Sequence, residues 1–417
     1  MSRDLPALPP ARLRALAARH GTPLYAYDAA AVRRAHAAVL RCFAPFRASY
    51  SFKANPNPHL AAVLRRQGAA ADAASAGELC AALAAGFAPA DITLGGPAKG
   101  DDELAFALAA GVGHFVVESA AELDRLERAC RRLGRRAACS VRLNTYAAGH
   151  GGLRERMTGP PTKFGFDRAA LAALAASRPR RHCRLCGVHV YNASGILDAA
   201  LVARDLAAAM AEARRAAGLL GMGISRLTFG PGLGVAYLPG QRDPDLALLA
   251  RRVKTVLDRE LQHEAFRGAE LQLELGRYLV AAAGVFLTRV LDVKTCRGKR
   301  FVVTDGGINH FLRPALMGHN HPTAVVGRAG GRLAAADVCG PLCTPIDTIA
   351  RNVMLPRVTA GDLVAVGRAG AYGFTMGLQS FISHRMPAEV LVDGREERVI
   401  RRRTGFGDGL ANVPPVR

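Results

Sequence analysis

Short apolar runs alternate with longer stretches of helical spacing through the first two thirds of the chain. Strand candidates lie at Ala48–Phe52, Ala70–Ala73, Ile92–Leu94, Phe115–Val117, Ala138–Leu143, Cys186–Val190, Arg226–Phe229 and Leu271–Glu274. Between them, alanine- and leucine-rich segments such as Ala120–Leu133 and Leu197–Leu220 place apolar residues on one helical face. This alternation predicts an α/β fold with a parallel sheet and crossover helices. Eight strands are the number that closes a TIM-like (β/α)8 barrel. An open doubly wound sheet is the rival; chemistry-bearing residues directly after several of the strands, as at the C-terminal face of a barrel, favour closure.

After about Val280 the texture changes to β-branched runs at Val285–Val293, Phe301–Thr304, Thr323–Val326, Leu363–Val366 and Glu389–Val392, separated by breaks at Gly306-Gly307, Gly330-Gly331 and Gly361. The pattern predicts a barrel over residues 30–280 and an all-β domain, a β-barrel or sandwich, over 281–417. Residues 1–29 contribute to the second domain, with Pro23-Leu24-Tyr25-Ala26-Tyr27 as an extra strand. A length of 417 residues, half of them apolar, fits two domains with substantial cores.

Met1–Pro10 lacks the apolar stretch of a signal peptide, and runs such as Tyr278–Leu287 are too short to span a bilayer, so a cytoplasmic protein with no membrane partner is expected. Nine cysteines in such a chain point to reduced thiols, and the lone C-x-x-C of Cys183 and Cys186 has no second pair to complete a zinc site. A net charge of +22 would favour acidic partners. Only six of the 56 basic residues are lysines, the arginine- and alanine-rich bias of a GC-rich genome. Arginine pairs such as Arg131-Arg132 and Arg135-Arg136 look scattered, and no aromatic-interleaved basic motif suggests nucleic-acid binding.

Lys53, in Ser51-Phe52-Lys53-Ala54-Asn55-Pro56, ends the first barrel strand. An amine there, among apolar neighbours, would have a depressed pKa and could form an imine with an aldehyde cofactor. Gly230-Pro231-Gly232-Leu233-Gly234 follows the seventh strand, where barrels commonly hold a phosphate. Glu274 closes the eighth strand and could pair with a pyridinium nitrogen. The second half adds Asp305-Gly306-Gly307, Gly340-Pro341-Leu342-Cys343-Thr344-Pro345-Ile346-Asp347 and Gly370-Ala371-Tyr372-Gly373.

In this order the motifs resemble the alanine-racemase-fold (fold type III) decarboxylases that use pyridoxal 5'-phosphate, the group of diaminopimelate, ornithine and arginine decarboxylases. The resemblance runs over nearly the whole chain. It implies that Lys53 is the Schiff-base lysine, with Asp72 as an acid beside it and His189 stacked on the pyridine ring. Ser194, Gly232, Gly234 and Tyr372 match groups around the cofactor phosphate, Glu274 the partner of the pyridine nitrogen, and Arg277 an arginine at the phosphate or substrate end. Cys343 matches a cysteine supplied by the neighbouring subunit of a homodimer to protonate the carbanion, and Lys163 a lysine that pairs with the acid at Asp347 across that interface.

Two motifs keep their chemical residues and change their spacers: Glu274-Leu275-Gly276-Arg277 stands for Glu-Pro-Gly-Arg, and His189-Val190-Tyr191-Asn192-Ala193-Ser194 for His-x-Gly-Ser. A larger departure is Thr344, where diaminopimelate and ornithine decarboxylases have an acid that meets a distal amine; a neutral hydroxyl cannot replace that charge-assisted bond. Cys343-Thr344-Pro345 and Phe381-Ile382-Ser383-His384 look more like the branch holding the butirosin-pathway glutamyl-carrier-protein decarboxylase and exosortase-associated relatives. The substrate implied is an amino acid or a carrier-tethered or otherwise modified conjugate, with an acidic carrier protein as partner. Arg313 resembles the arginine by which diaminopimelate decarboxylases grip a distal carboxylate, which keeps that enzyme, or a citrate-conjugated amino acid, as the alternative. Racemisation on the same barrel and a non-enzymatic cofactor carrier are the remaining readings.

Overall fold

The computed structural model describes residues 8–144, 155–328 and 330–414. The chain forms two compact units, one of Arg33–Val235 and Arg242–Tyr278, the other of the chain up to Val32, Ala236–Gln241 and everything from Leu279 onward. The strands are β1 (Leu24–Asp28), β2 (Arg47–Ser51), β3 (Ala70–Ala73), β4 (Ile92–Leu94), β5 (His114–Val117), β6 (Ala137–Leu143), β7 (Cys183–Tyr191), β8 (Arg226–Gly230) and β9 (Glu270–Leu275). They continue as β10 (Gly284–Cys296), β11 (Lys299–Thr304), β12 (Thr323–Val325), β13 (Ala334–Cys339), β14 (Thr348–Leu355), β15 (Leu363–Val366), β16 (Ala388–Asp393) and β17 (Glu396–Arg401).

In the first unit β2 to β9 close a parallel barrel in chain order. All eight expected barrel strands are present, and helices Ala120–Leu133 and Ala199–Leu220 stand where helical spacing placed them. Strand ends feed helix starts with little slack. Ser75 and Ser119 cap the helices after β3 and β5 by accepting the N–H of Glu78 (3.2 Å) and Glu122 (3.1 Å). The two glutamates reach back to the N–H groups of Ala74 and Glu118, a variant of the capping box that S-x-x-E signals in sequence. Turns this tightly tied hold the C-terminal strand ends, and the side chains on them, in fixed positions.

The barrel interior carries polar side chains as well as apolar ones: Ser49, Thr93, His114, Ser140, Thr228 and Gln272 are buried. His114 Nε2 lies 2.7 Å from Ser140 Oγ. Burial, with Arg226 and Arg184 nearby, pushes its pKa down to about 3, so the ring is neutral.

The second unit is built on one sheet ordered β14-β13-β11-β10-β1-β16-β17, with β15 joining β10 to β12. The N-terminal strand β1 runs antiparallel to β10 and parallel to β16. The sheet agrees with the C-terminal β domain that the sequence predicts, and the N-terminal segment adds a helix beside its strand. Helix Pro10–His20 buries Leu13, Leu16 and Ala17 against Leu24, Ala26, Val285, Leu287 and Val390. Segment 236–241 also belongs here rather than to the barrel, because the Tyr237 ring packs on His321 and His319 at centroid distances of 4.3 and 5.7 Å.

Candidate active site

Lys53 sits in a single 3-10 turn, Phe52–Ala54, immediately after β2. Tyr50 Oη, donating to the carbonyl of Asn55 (2.8 Å), ties the strand to the turn, and Asn57 caps the following helix Pro58–Arg65. The lysine is thereby aimed across the C-terminal end of the barrel. Its Nζ lies 2.5 Å from Glu274 Oε1, 3.9 Å from Asp72 Oδ2 and 5.0 Å from the centroid of the Tyr191 ring. Register explains the convergence: Ser49 of β2 pairs with Glu274 of β9, and Ser51 with Asp72 of β3. The expectation of apolar neighbours is corrected, since the side chain is 40% exposed and faces two carboxylates.

The two carboxylates are pushed in opposite directions. Burial alone would raise both, but the Lys53 ammonium and His189, whose Nε2 is 2.6 Å from Oε2, hold Glu274 well below the usual carboxylate range. Asp72 is raised to about 8 by burial and by the charge on Glu274, which the more distant Lys53 only partly offsets. Two acids sharing one ammonium thus divide into an ionised one near it and a protonated one further away. The other ring nitrogen of His189, Nδ1, is buried without a hydrogen-bond partner.

Beyond β7 the chain brings Ser194 to Arg277, whose Nη2 donates to Ser194 Oγ (3.1 Å) and to Glu155 Oε2 (2.5 Å). Arg277 is only 4% exposed. Glu155 carried no signal in the sequence, since it belongs to no motif and reaches Arg277 only through the fold; Tyr191, a spacer by sequence, was likewise missed. The glycine loop packs against the 193–196 segment: Gly232, at φ +59°, has no room for a Cβ against the Ala193 carbonyl, and a Cβ on Gly234 would stand 2.6 Å from the Gly195 carbonyl carbon. The N–H of Gly234 donates to the Ile196 carbonyl (2.8 Å), so this donor serves the loop itself.

Four expected site residues belong to the second unit. Arg313 is buried at the start of the short helix Arg313–Met317, with its guanidinium 5.3 Å from the Tyr237 ring and 5.6 Å from the Tyr372 ring. Tyr372 adopts φ +56°, the left-handed region, in the turn before Gly373. Cys343 is exposed and Thr344 half-buried on the turn joining β13 to β14. That turn is pinned by Asp347, which accepts the N–H groups of Ile308 and Leu342, both at 2.7 Å. Lys163 Nζ lies 5.6 Å from the ring of its neighbour Phe164.

The family profile described as "Pyridoxal-dependent decarboxylase, pyridoxal binding domain" matches residues 29–281. The chain belongs to this family. Among its relatives is the L-glutamyl-[BtrI acyl-carrier protein] decarboxylase of Niallia circulans, 32% identical over 412 residues and 96% of each chain. The diaminopimelate decarboxylase of Deinococcus radiodurans is 38% identical over 397 residues, 93% of this chain and 94% of the relative. Among solved structures, the chain superposes on "Diaminopimelate Decarboxylase from m. jannaschi" with a TM-score of 0.87 at 26% identity, covering 96% and 94% of the two chains. The Helicobacter pylori diaminopimelate decarboxylase complexed with L-lysine gives 0.85 at 29% identity, with 96% and 98% covered.

The family's cofactor is pyridoxal phosphate, and the barrel end suits it. A lysine amine, an ionised buried carboxylate, an imidazole with one unpartnered nitrogen and a buried arginine beside a serine hydroxyl are the donor set such a cofactor requires. No helix among the described residues is long and apolar enough to cross a membrane.

Proposed function

We propose that this pyridoxal-dependent decarboxylase removes the α-carboxylate of an amino acid presented on a carrier or otherwise conjugated at its distal end. The observation that carries the reading is Thr344: the residue after Cys343 is a neutral hydroxyl, so no carboxylate stands there to meet a free distal ammonium. The glutamyl-carrier-protein relative, matched over 96% of both chains, supports it, and a net charge of +22 suits an acidic partner.

Pyridoxal phosphate supplies the electron sink that accepts the pair released when the Cα–carboxylate bond breaks. The remaining work falls to the chain. Lys53 Nζ is the amine that would hold the cofactor, and Glu274, kept ionised, would favour a protonated pyridine nitrogen. His189, hydrogen-bonded to Glu274, presents its ring from β7. Ser194, Gly232 and Arg277 would receive the phosphate. Cys343, contributed by the second subunit of a homodimer, delivers the proton to Cα.

A second reading is favoured by Arg313, buried with its guanidinium over two tyrosine rings. Such a guanidinium is preorganised for a carboxylate, which suits diaminopimelate or another substrate with a second carboxylate. The test is CO2 release by the purified protein from free glutamate, carrier-bound glutamate, ornithine, diaminopimelate and a citryl-diamino acid. Turnover of a conjugate with little from the free amino acids is expected. Turnover of diaminopimelate alone would replace the first reading by the second.

A further inference from the structure

We propose that Tyr191 is a positioning residue for Lys53, holding the amine over the face of its ring; the inference rests on the reading of Lys53 as the cofactor-bearing lysine. Side chains two apart on a strand share a face, and on β7 those are His189 and Tyr191. His189 meets Glu274 at 2.6 Å, and one step further toward the strand end the Tyr191 ring comes 5.0 Å from Lys53 Nζ. The carboxylate and the ring therefore hold the same ammonium through two neighbouring same-face positions of one strand.

The ring is itself held in place. Gly230 of β8 is the register partner of Tyr191, and a Cβ there would overlap the ring, so the glycine leaves the space in which the aromatic plane lies. A tyrosine face attracts a cation and not a neutral amine. Tyr191 therefore favours the charged form of Lys53 and a fixed direction for Nζ. Among the described residues, the groups facing that amine include Glu274 on β9, Asp72 on β3 and Glu78 on the helix Ala76–Ala84, with His189 acting through Glu274. None of these changes when the ring alone is replaced.

The measurement is the rate at which the full-length apoprotein acquires the visible band of lysine-bound cofactor on mixing with pyridoxal phosphate, followed across a pH series. Only the neutral amine reacts. In Tyr191→Leu the midpoint of that profile should fall by on the order of half a pH unit, while Tyr191→Phe, which keeps a ring face, should stay close to wild type. Tyr191→Gln replaces the leucine variant if that one is insoluble. An unmoved midpoint with uniformly slower uptake would mean that the ring only fills space, and the proposal would be wrong. The same holds if phenylalanine shifts the midpoint as far as leucine. A wild-type protein that never acquires the band would instead overturn the cofactor assignment of Lys53, and this inference with it.

Discussion

Asp72 and Glu274 flank one lysine and are driven apart by environment alone. For Asp72 the folded pKa lies above that of the unfolded chain, so its contribution to stability is complete below about pH 4. It is lost as the pH rises toward about 8, where the folded protein also gives up the proton. Glu274 has the opposite sign: its stabilisation is present above the unfolded value and lost as pH falls through the depressed folded one. Asp72→Asn should therefore raise the melting temperature of the apoprotein at pH 8 and leave it nearly unchanged at pH 4; thermal melts at both values check this, and a uniform shift would contradict it. Lys53, Glu274 and the glycine loop could be found by reading strand ends, because each follows an apolar run directly. Glu155 and Tyr191 could not, since their importance comes from what the barrel sets opposite them.

At the scale of elements, β7 and β8 end in a matched pair, a ring on one strand and a glycine on the other. Gly230→Ala puts a methyl group into the Tyr191 ring and should cost about 1–3 kcal/mol of stability. Tyr191→Ala in the same chain should recover most of that loss in a denaturant titration, and failure to recover would show that the backbone at Gly230 matters for another reason. The barrel strands were readable because each is a short apolar run bounded by turns. Strands β13 and β14 were not. Ala334–Cys339 is half alanine, and Thr348–Leu355 is interrupted by Arg351 and Asn352, which leave the sheet face for water. The helix Pro10–His20 hid behind its four basic side chains, Arg12, Arg14, Arg19 and His20. The arginine pairs also look different in the fold. Arg131, Arg132, Arg135 and Arg136 are exposed beside Arg181 and Arg184, because the Ala137 N–H donates to the His182 carbonyl and the His182 N–H to Glu127 of the helix Ala120–Leu133, tying the approaches to β6 and β7 together.

Across the whole molecule, the N-terminal helix is part of the second unit's core. Its two fully buried leucines, Leu13 and Leu16, each contribute about 2 kcal/mol by burial. Deleting the first 20 residues should lower the melting temperature by several degrees and increase binding of a hydrophobic dye; an unchanged melt would mean that the sheet below is covered in some other way. If a carrier is the partner, its affinity should weaken steeply between low and physiological salt, since long-range attraction to a surface of this charge is screened. Strand β1 also constrains the order of assembly. It is flanked by β10 and β16, and β16 begins at Ala388, so a segment made before the barrel must wait for one made after it. All eight barrel strands emerge in that interval, and a nascent chain stopped before Ala388 would carry β1 with an open hydrogen-bonding edge, the kind of surface that chaperones cover and that seeds aggregation.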